Sequence, residues 1–112
     1  MEQVNPLVTF DEFKKLDLRV AKVKEVLDHP RADKLLLLKV DVGGVEKQIV
    51  AGLKPWYPGQ ALVGKTIIIV NNLEPATLRG EQSQGMLLAA QDGERVMVLV
   101  PDGEAAAGSQ VR

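Results

Sequence analysis

A chain of 112 residues with 46% hydrophobic content is the size of one domain with one core, and its formal net charge of −1 argues against a protein that coats nucleic acid through bulk positive charge. With no cysteine it has no disulfide, thiolate nucleophile or sulfur-ligated metal site, and a reducing cytoplasmic setting fits best. The opening MEQVNPLVTF lacks the basic-then-apolar pattern of a leader, and no segment approaches the roughly 18 apolar residues of a membrane span.

Thr9-Phe10-Asp11-Glu12 matches a capping box, which predicts a short helix from Thr9 to about Leu16 with Phe10 and Phe13 on one face. So short a helix does not stand alone, and those aromatics must pack on the domain's core or on a partner subunit. From Asp17 to Leu27 the apolar positions run Leu18, Val20 and then Val23, a change of parity that predicts a strand with a bulge near Ala21. Asp28-His29-Pro30-Arg31 reads as a turn. Leu35 to Val42 reads as the second strand, with Leu36, Leu38, Val40 and Val42 on one face.

Gly43-Gly44 predicts a tight hairpin turn into a third strand from Val45 to Ala51. Gly52 to Gly64, with Pro55, Trp56, Tyr57 and Pro58, is a structured connection with one helical turn around Gln60 to Val63. Thr66 to Val70 is a β-branched, buried strand. Asn71 to Gly85 reads as a long irregular loop, the kind that carries function in a compact domain. Met86 to Ala90, Arg95 to Val100 and a terminal strand near Gln110 to Arg112 complete a single all-β domain over 1–112. This order fits a five-stranded Greek-key barrel of the OB type with a short N-terminal helix and extra C-terminal strands; a small β-sandwich fits the pattern as well.

Catalytic machinery is thin. His29 is the only histidine and Ser83 and Ser109 the only serines; a nucleophile elbow around Ser83 would need glycine at position 81, which is Glu. No ligand spacing suggests a metal and no glycine-rich loop a phosphate cofactor, so a non-enzyme without cofactors is expected. Charge is polarised: Lys14, Lys15, Arg19, Lys22 and Lys24 stand against Asp17, while Asp92, Glu94, Asp102 and Glu104 stand against Arg95. Either stretch also reads as an ordinary solvated face. The strands carry almost no aromatics, which disfavours base stacking on a sheet and leaves backbone contact with a folded RNA as the nucleic-acid mode.

Taken together, LDLRVAKVKEVLDHPRADKLLLLKVDVG, QIVAGL, VGKTIIIVNNLEPATLRGEQSQGMLLAA and the closing acidic hairpin resemble the tRNA-binding domain appended to bacterial and archaeal methionyl-tRNA synthetases and also found free-standing. The resemblance covers essentially the whole chain. It implies an OB fold, a homodimer built partly from terminal elements such as the Phe10 and Phe13 helix, and binding to the outside corner of L-shaped tRNA. Delivery of tRNA to a methionyl-tRNA synthetase catalytic domain or subunit is implied with it. By motif position it implies Arg19, Lys22 and Lys34 as phosphate contacts, Asn72 and Arg79 as loop contacts, and Ser83 with Met86 as the loop's ordered, RNA-facing end. Looser kin are the secretion chaperone CsaA, which leaves peptide binding with Trp56 and Tyr57 as apolar contacts as a second reading, and a purely structural dimerisation module as a third.

Two departures from the pattern matter. Ala21 stands where many relatives have Gly, so the strand there must avoid positive φ. Glu74-Pro75-Ala76-Thr77 replaces a stretch where relatives often carry Lys or Arg, which implies weaker electrostatics and a greater share for Arg19, Lys22, Arg79 and dimer avidity.

Overall fold

Five strands curl into a nearly closed barrel whose centre is filled by branched aliphatic side chains. The computed structural model describes residues 5–112; Met1 to Val4, the start of the segment read above for a leader, lie outside it. The elements run α1 (Phe10–Phe13), β1 (Leu18–Asp28), β2 (Leu36–Asp41), β3 (Glu46–Ala51), α2 (Gly59–Leu62), β4 (Thr66–Val70), β5 (Ala76–Leu78), β6 (Glu81–Ser83), β7 (Met86–Leu87), β8 (Ala89–Asp92), β9 (Arg95–Val98) and β10 (Gln110–Val111). The main sheet has the order β3-β2-β1-β4-β7, all pairs antiparallel, with β10 on the N-terminal part of β1. This is the OB-type barrel with its short N-terminal helix and added C-terminal strands.

The expected alternation holds in β2: Leu36, Leu38 and Val40 are fully buried and pack with Ile49, Leu62, Ile67 and Ile69. Gly43 and Gly44 both have positive φ, and the Val42 N–H donates to the Val45 carbonyl, so this is a two-residue turn whose twist matches the strands. The capping box is complete, with Thr9 Oγ1 accepting the Glu12 N–H at 3.1 Å and the Glu12 carboxylate accepting the Thr9 N–H at 3.0 Å. The Thr9 N–H, and to a lesser degree the Thr9 hydroxyl, which also donates to the Glu12 carboxylate at 3.0 Å, hold that carboxyl below its usual pKa.

Two expectations need correction. The bulge is not at Ala21, which is fully buried and pairs in regular register with Ile67; the register against β2 shifts between Val23 and Glu25. The reason is that β1 is buried on both faces early on. Leu18 and Val20 face outward under cover while Ala21 and Val23 face the core, so no parity change is needed before Lys24. Nor is 71–85 irregular, since β5 and β6 form a hairpin with Leu78 opposite Glu81 and Arg79-Gly80 between them.

Candidate nucleic-acid interface

Two connections meet at one end of the barrel: the β1–β2 loop and the β5–β6 hairpin. His29, only 5% exposed, is the pin between them. Its Nδ1 accepts the Arg31 N–H at 2.9 Å, so the proton sits on Nε2 and is donated to the Leu78 carbonyl at 2.8 Å. Arg31 adds a second tie, its Nε–H donating to the Arg79 carbonyl at 3.0 Å. Glu81 lies 3.8 Å from the Arg31 guanidinium. Loops in these two places, together with the outward face of β2 and β3, are where OB barrels take oligonucleotides.

The other flank of the hairpin is fixed to β3 through Gln48. Its N–H donates to Gln84 Oε1 and its carbonyl accepts the Gln84 N–H, while its side-chain Nε2 donates to the Gln82 carbonyl at 2.9 Å. Lys39 on β2 donates to Gln48 Oε1 at 2.6 Å. Lys39 and Gln48 thus make the middle of the outward sheet face polar, and none of the aromatic residues lies in a strand.

The expected site residues divide by what they touch. Lys22 and Lys34 are exposed and make no salt bridge among the described residues. Arg79 is exposed at the hairpin tip with φ of 52, in a two-residue turn that favours Asn or Gly, a conformation that costs a residue with a Cβ roughly 1–2 kcal/mol. Met86 is 49% exposed on β7 beside the hairpin and is not core. Ser83 does not fit an RNA-facing role: it is 4% exposed, its Oγ accepts the Val50 N–H, and its hydroxyl donates to the Gly85 carbonyl. It holds the loop's end in place.

Arg19 and Asn72 lie at the opposite end of β1 and knit the N-terminal segment to the barrel. Asn72 accepts the Asp17 N–H at 2.8 Å and donates to the Lys15 carbonyl at 2.7 Å, which occupies both ends of its amide. Arg19 donates through Nε to Asp17 at 2.7 Å and through Nη1 to the Gly108 carbonyl at 3.1 Å, while its Nη2 has no partner among the described residues. The Asn71 amide donates to Asp17 and, with a smaller contribution from Arg19, holds that carboxyl below its usual value against the opposing effect of burial.

A depressed carboxyl stabilises the fold above its unfolded pKa and loses that effect as pH falls through the folded one. Thermal melts from pH 6 to pH 3 should therefore show an acid-dependent loss that Asp17→Asn removes in part, with a cost at neutral pH below about 1 kcal/mol because the pair is partly solvated. Superimposable pH profiles would refute the assignment.

Sequence reasoning missed Arg31, His29 as a pin, and Gln48. Arg31 had a signal, a cation in the turn beside the motif; Gln48 had none, because its partners are distant in the chain. Of the two proposed apolar contacts, Trp56 stays 42% exposed while its Nε1 donates to the Glu94 carbonyl at 2.7 Å, whereas Tyr57 is half-buried against the core with its hydroxyl accepting the Val98 N–H at 3.1 Å. A separate apolar groove is lined by Phe10, Phe13, Leu16 and Val111.

Residues 18–110 match the family model described as "Putative tRNA binding domain". A methionine–tRNA ligase of Thermococcus kodakarensis is 57% identical over 105 residues, which cover 94% of this chain but 14% of that protein. The chain thus spans about a seventh of the length of that relative. Among solved structures, a MetRS-related protein from Pyrococcus horikoshii superposes with a TM-score of 0.90 at 36% identity, covering 96% of this chain and all of that one. A CsaA chaperone from Picrophilus torridus superposes at 0.87 with 32% identity, covering 95% of this chain and again all of the other.

Proposed function

Because the chain belongs to the tRNA-binding domain family, we propose that it is a non-catalytic module that binds folded tRNA through backbone and shape contacts, works as a homodimer, and brings tRNA to a methionyl-tRNA synthetase in cis or in trans. The observation that carries this reading is the clasp of the β1–β2 loop and the β5–β6 hairpin at His29, which fixes exposed cations at Arg79 and in the 29–35 loop beside a polar sheet face. Aromatic platforms for unstacked bases are absent from that face, so affinity for a single strand has no stacking contribution of roughly 1–3 kcal/mol per base.

In this reading Lys22, Lys34 and Arg79 meet phosphates and Met86 lies at the loop's RNA-facing end. Asn72 and Ser83 act indirectly, and Arg19 acts both ways, positioning the N-terminal segment and offering Nη2 outward. Dimerisation rests on α1: none of its residues is buried, and Phe10 at 72% and Phe13 at 41% exposure leave an apolar face uncovered. Cytoplasmic work beside the translation machinery follows from this function.

A salt-dependent titration of tRNA tests the contacts. Each of Lys22→Ala, Lys34→Ala and Arg79→Ala should weaken binding and reduce the slope of log K against log salt by about one. A triple variant that binds with the wild-type slope would sink the assignment. Peptide binding is the second reading, favoured by the likeness to the CsaA chaperone and by the Phe10–Val111 groove. Retained peptide affinity in a triple variant that never bound tRNA would favour it.

A further inference from the structure

Resting on the tRNA reading, we propose that Arg31 is a phosphate-contacting residue that forms a two-arginine clamp with Arg79 at the tip of the β5–β6 hairpin. Its side chain is 59% exposed, yet its guanidinium is not loose: Nε–H is committed to the Arg79 carbonyl at 3.0 Å, which seats Arg31 against the root of the Arg79 side chain. Gly80 leaves room for this seat, since a Cβ there would come within 2.3 Å of Arg31 Nη2. Nη2 lies over Gly80 and 3.8 Å from Glu81, and Nη1 makes no hydrogen bond among the described residues.

Arg31 and Arg79 thus bring two exposed cations to one hairpin tip, and an anion bound there gains from both. In the free protein the nearest anion is Glu81, but it approaches Arg31 only to 3.8 Å, because Gln48 draws the other oxygen of the same carboxylate away at 3.3 Å. A contact of that length between an exposed guanidinium and a partly exposed carboxylate is weak. A phosphate offers a planar guanidinium two oxygens at once and outcompetes it. Arg31 thus arrives from the β1–β2 loop at the tip of the β5–β6 hairpin, against Arg79 and Gly80.

The test compares wild type, Arg31→Ala, Arg31→Gln and Glu81→Gln in salt-dependent titrations with unfractionated tRNA. Arg31→Gln keeps an N–H donor for the Arg79 carbonyl while removing the charge. Both Arg31 variants should lose roughly tenfold in affinity and about one unit of salt slope, and Glu81→Gln should bind a few-fold tighter. Weaker binding with an unchanged slope would mean that Arg31 only positions the hairpin and would overturn the clamp, as would wild-type affinity in Arg31→Gln. A wild type that fails to bind tRNA at all would remove the underlying reading, and the clamp with it.

Discussion

Replacing Gly85 with alanine should destabilise the domain by about 3 kcal/mol, from backbone strain and overpacking together, a fall in Tm of roughly 10–20 °C for a chain of this size. Gly85 has φ of 149, and a Cβ there would lie 2.8 Å from the Val70 carbonyl and 3.1 Å from Ile49 Cδ1. The Val70 oxygen belongs to β4 and has no freedom to retreat. Its displacement would also pull the Gly85 carbonyl from the Ser83 hydroxyl, whose oxygen is the acceptor for the buried Val50 N–H. An unpaired buried N–H costs roughly 1–3 kcal/mol on its own. Gly64→Ala is the matched control, since its φ of 87 is strained but nothing lies within 4 Å. Equal losses in the two variants would show that the close approach at Gly85 contributes nothing.

The second large effect is expected from Phe10→Ser combined with Phe13→Ser. Neither side chain is buried, so the barrel should remain folded. A four-residue helix has no intrinsic stability in water, and its exposed face continues through Leu7, Val8 and Leu16 to Val111 on β10. The proposed homodimer would cover this face with a second copy. Light scattering at micromolar concentration should give a dimer for the wild type and a monomer for the variant, with tRNA affinity reduced roughly 10- to 100-fold through lost avidity. A wild type that is monomeric, or a monomeric variant with undiminished affinity, would remove dimerisation from the mechanism.

Local pattern made much of this fold legible. The capping box at Thr9, the alternation through Leu36, Leu38 and Val40, and the Gly43-Gly44 turn are each determined by neighbours in the chain. The β5–β6 hairpin was not legible, because its first strand, Ala76–Leu78, is exposed at every position and has no buried face to set a period. It is held instead by Gln48, His29 and Arg31, all far away in sequence. The same nonlocality explains Ser83. A motif position suggests contact with a ligand, and only the fold reveals that its hydroxyl is enclosed between Val50 and Gly85. Arg19 and Asn72 likewise sit at the far end of β1 from Arg79, so the residues that the motif groups together divide between the two ends of that strand.

The proposed mode of action is shape-selective binding of folded tRNA by backbone contact. Its most direct test is one titration at fixed ionic strength with three RNAs of equal length: folded tRNA, the same tRNA unfolded by heating without magnesium, and an unstructured single strand. Folded tRNA should bind at least about tenfold tighter than either of the others, since all three carry the same charge and differ only in shape. Equal affinity for all three would contradict the account.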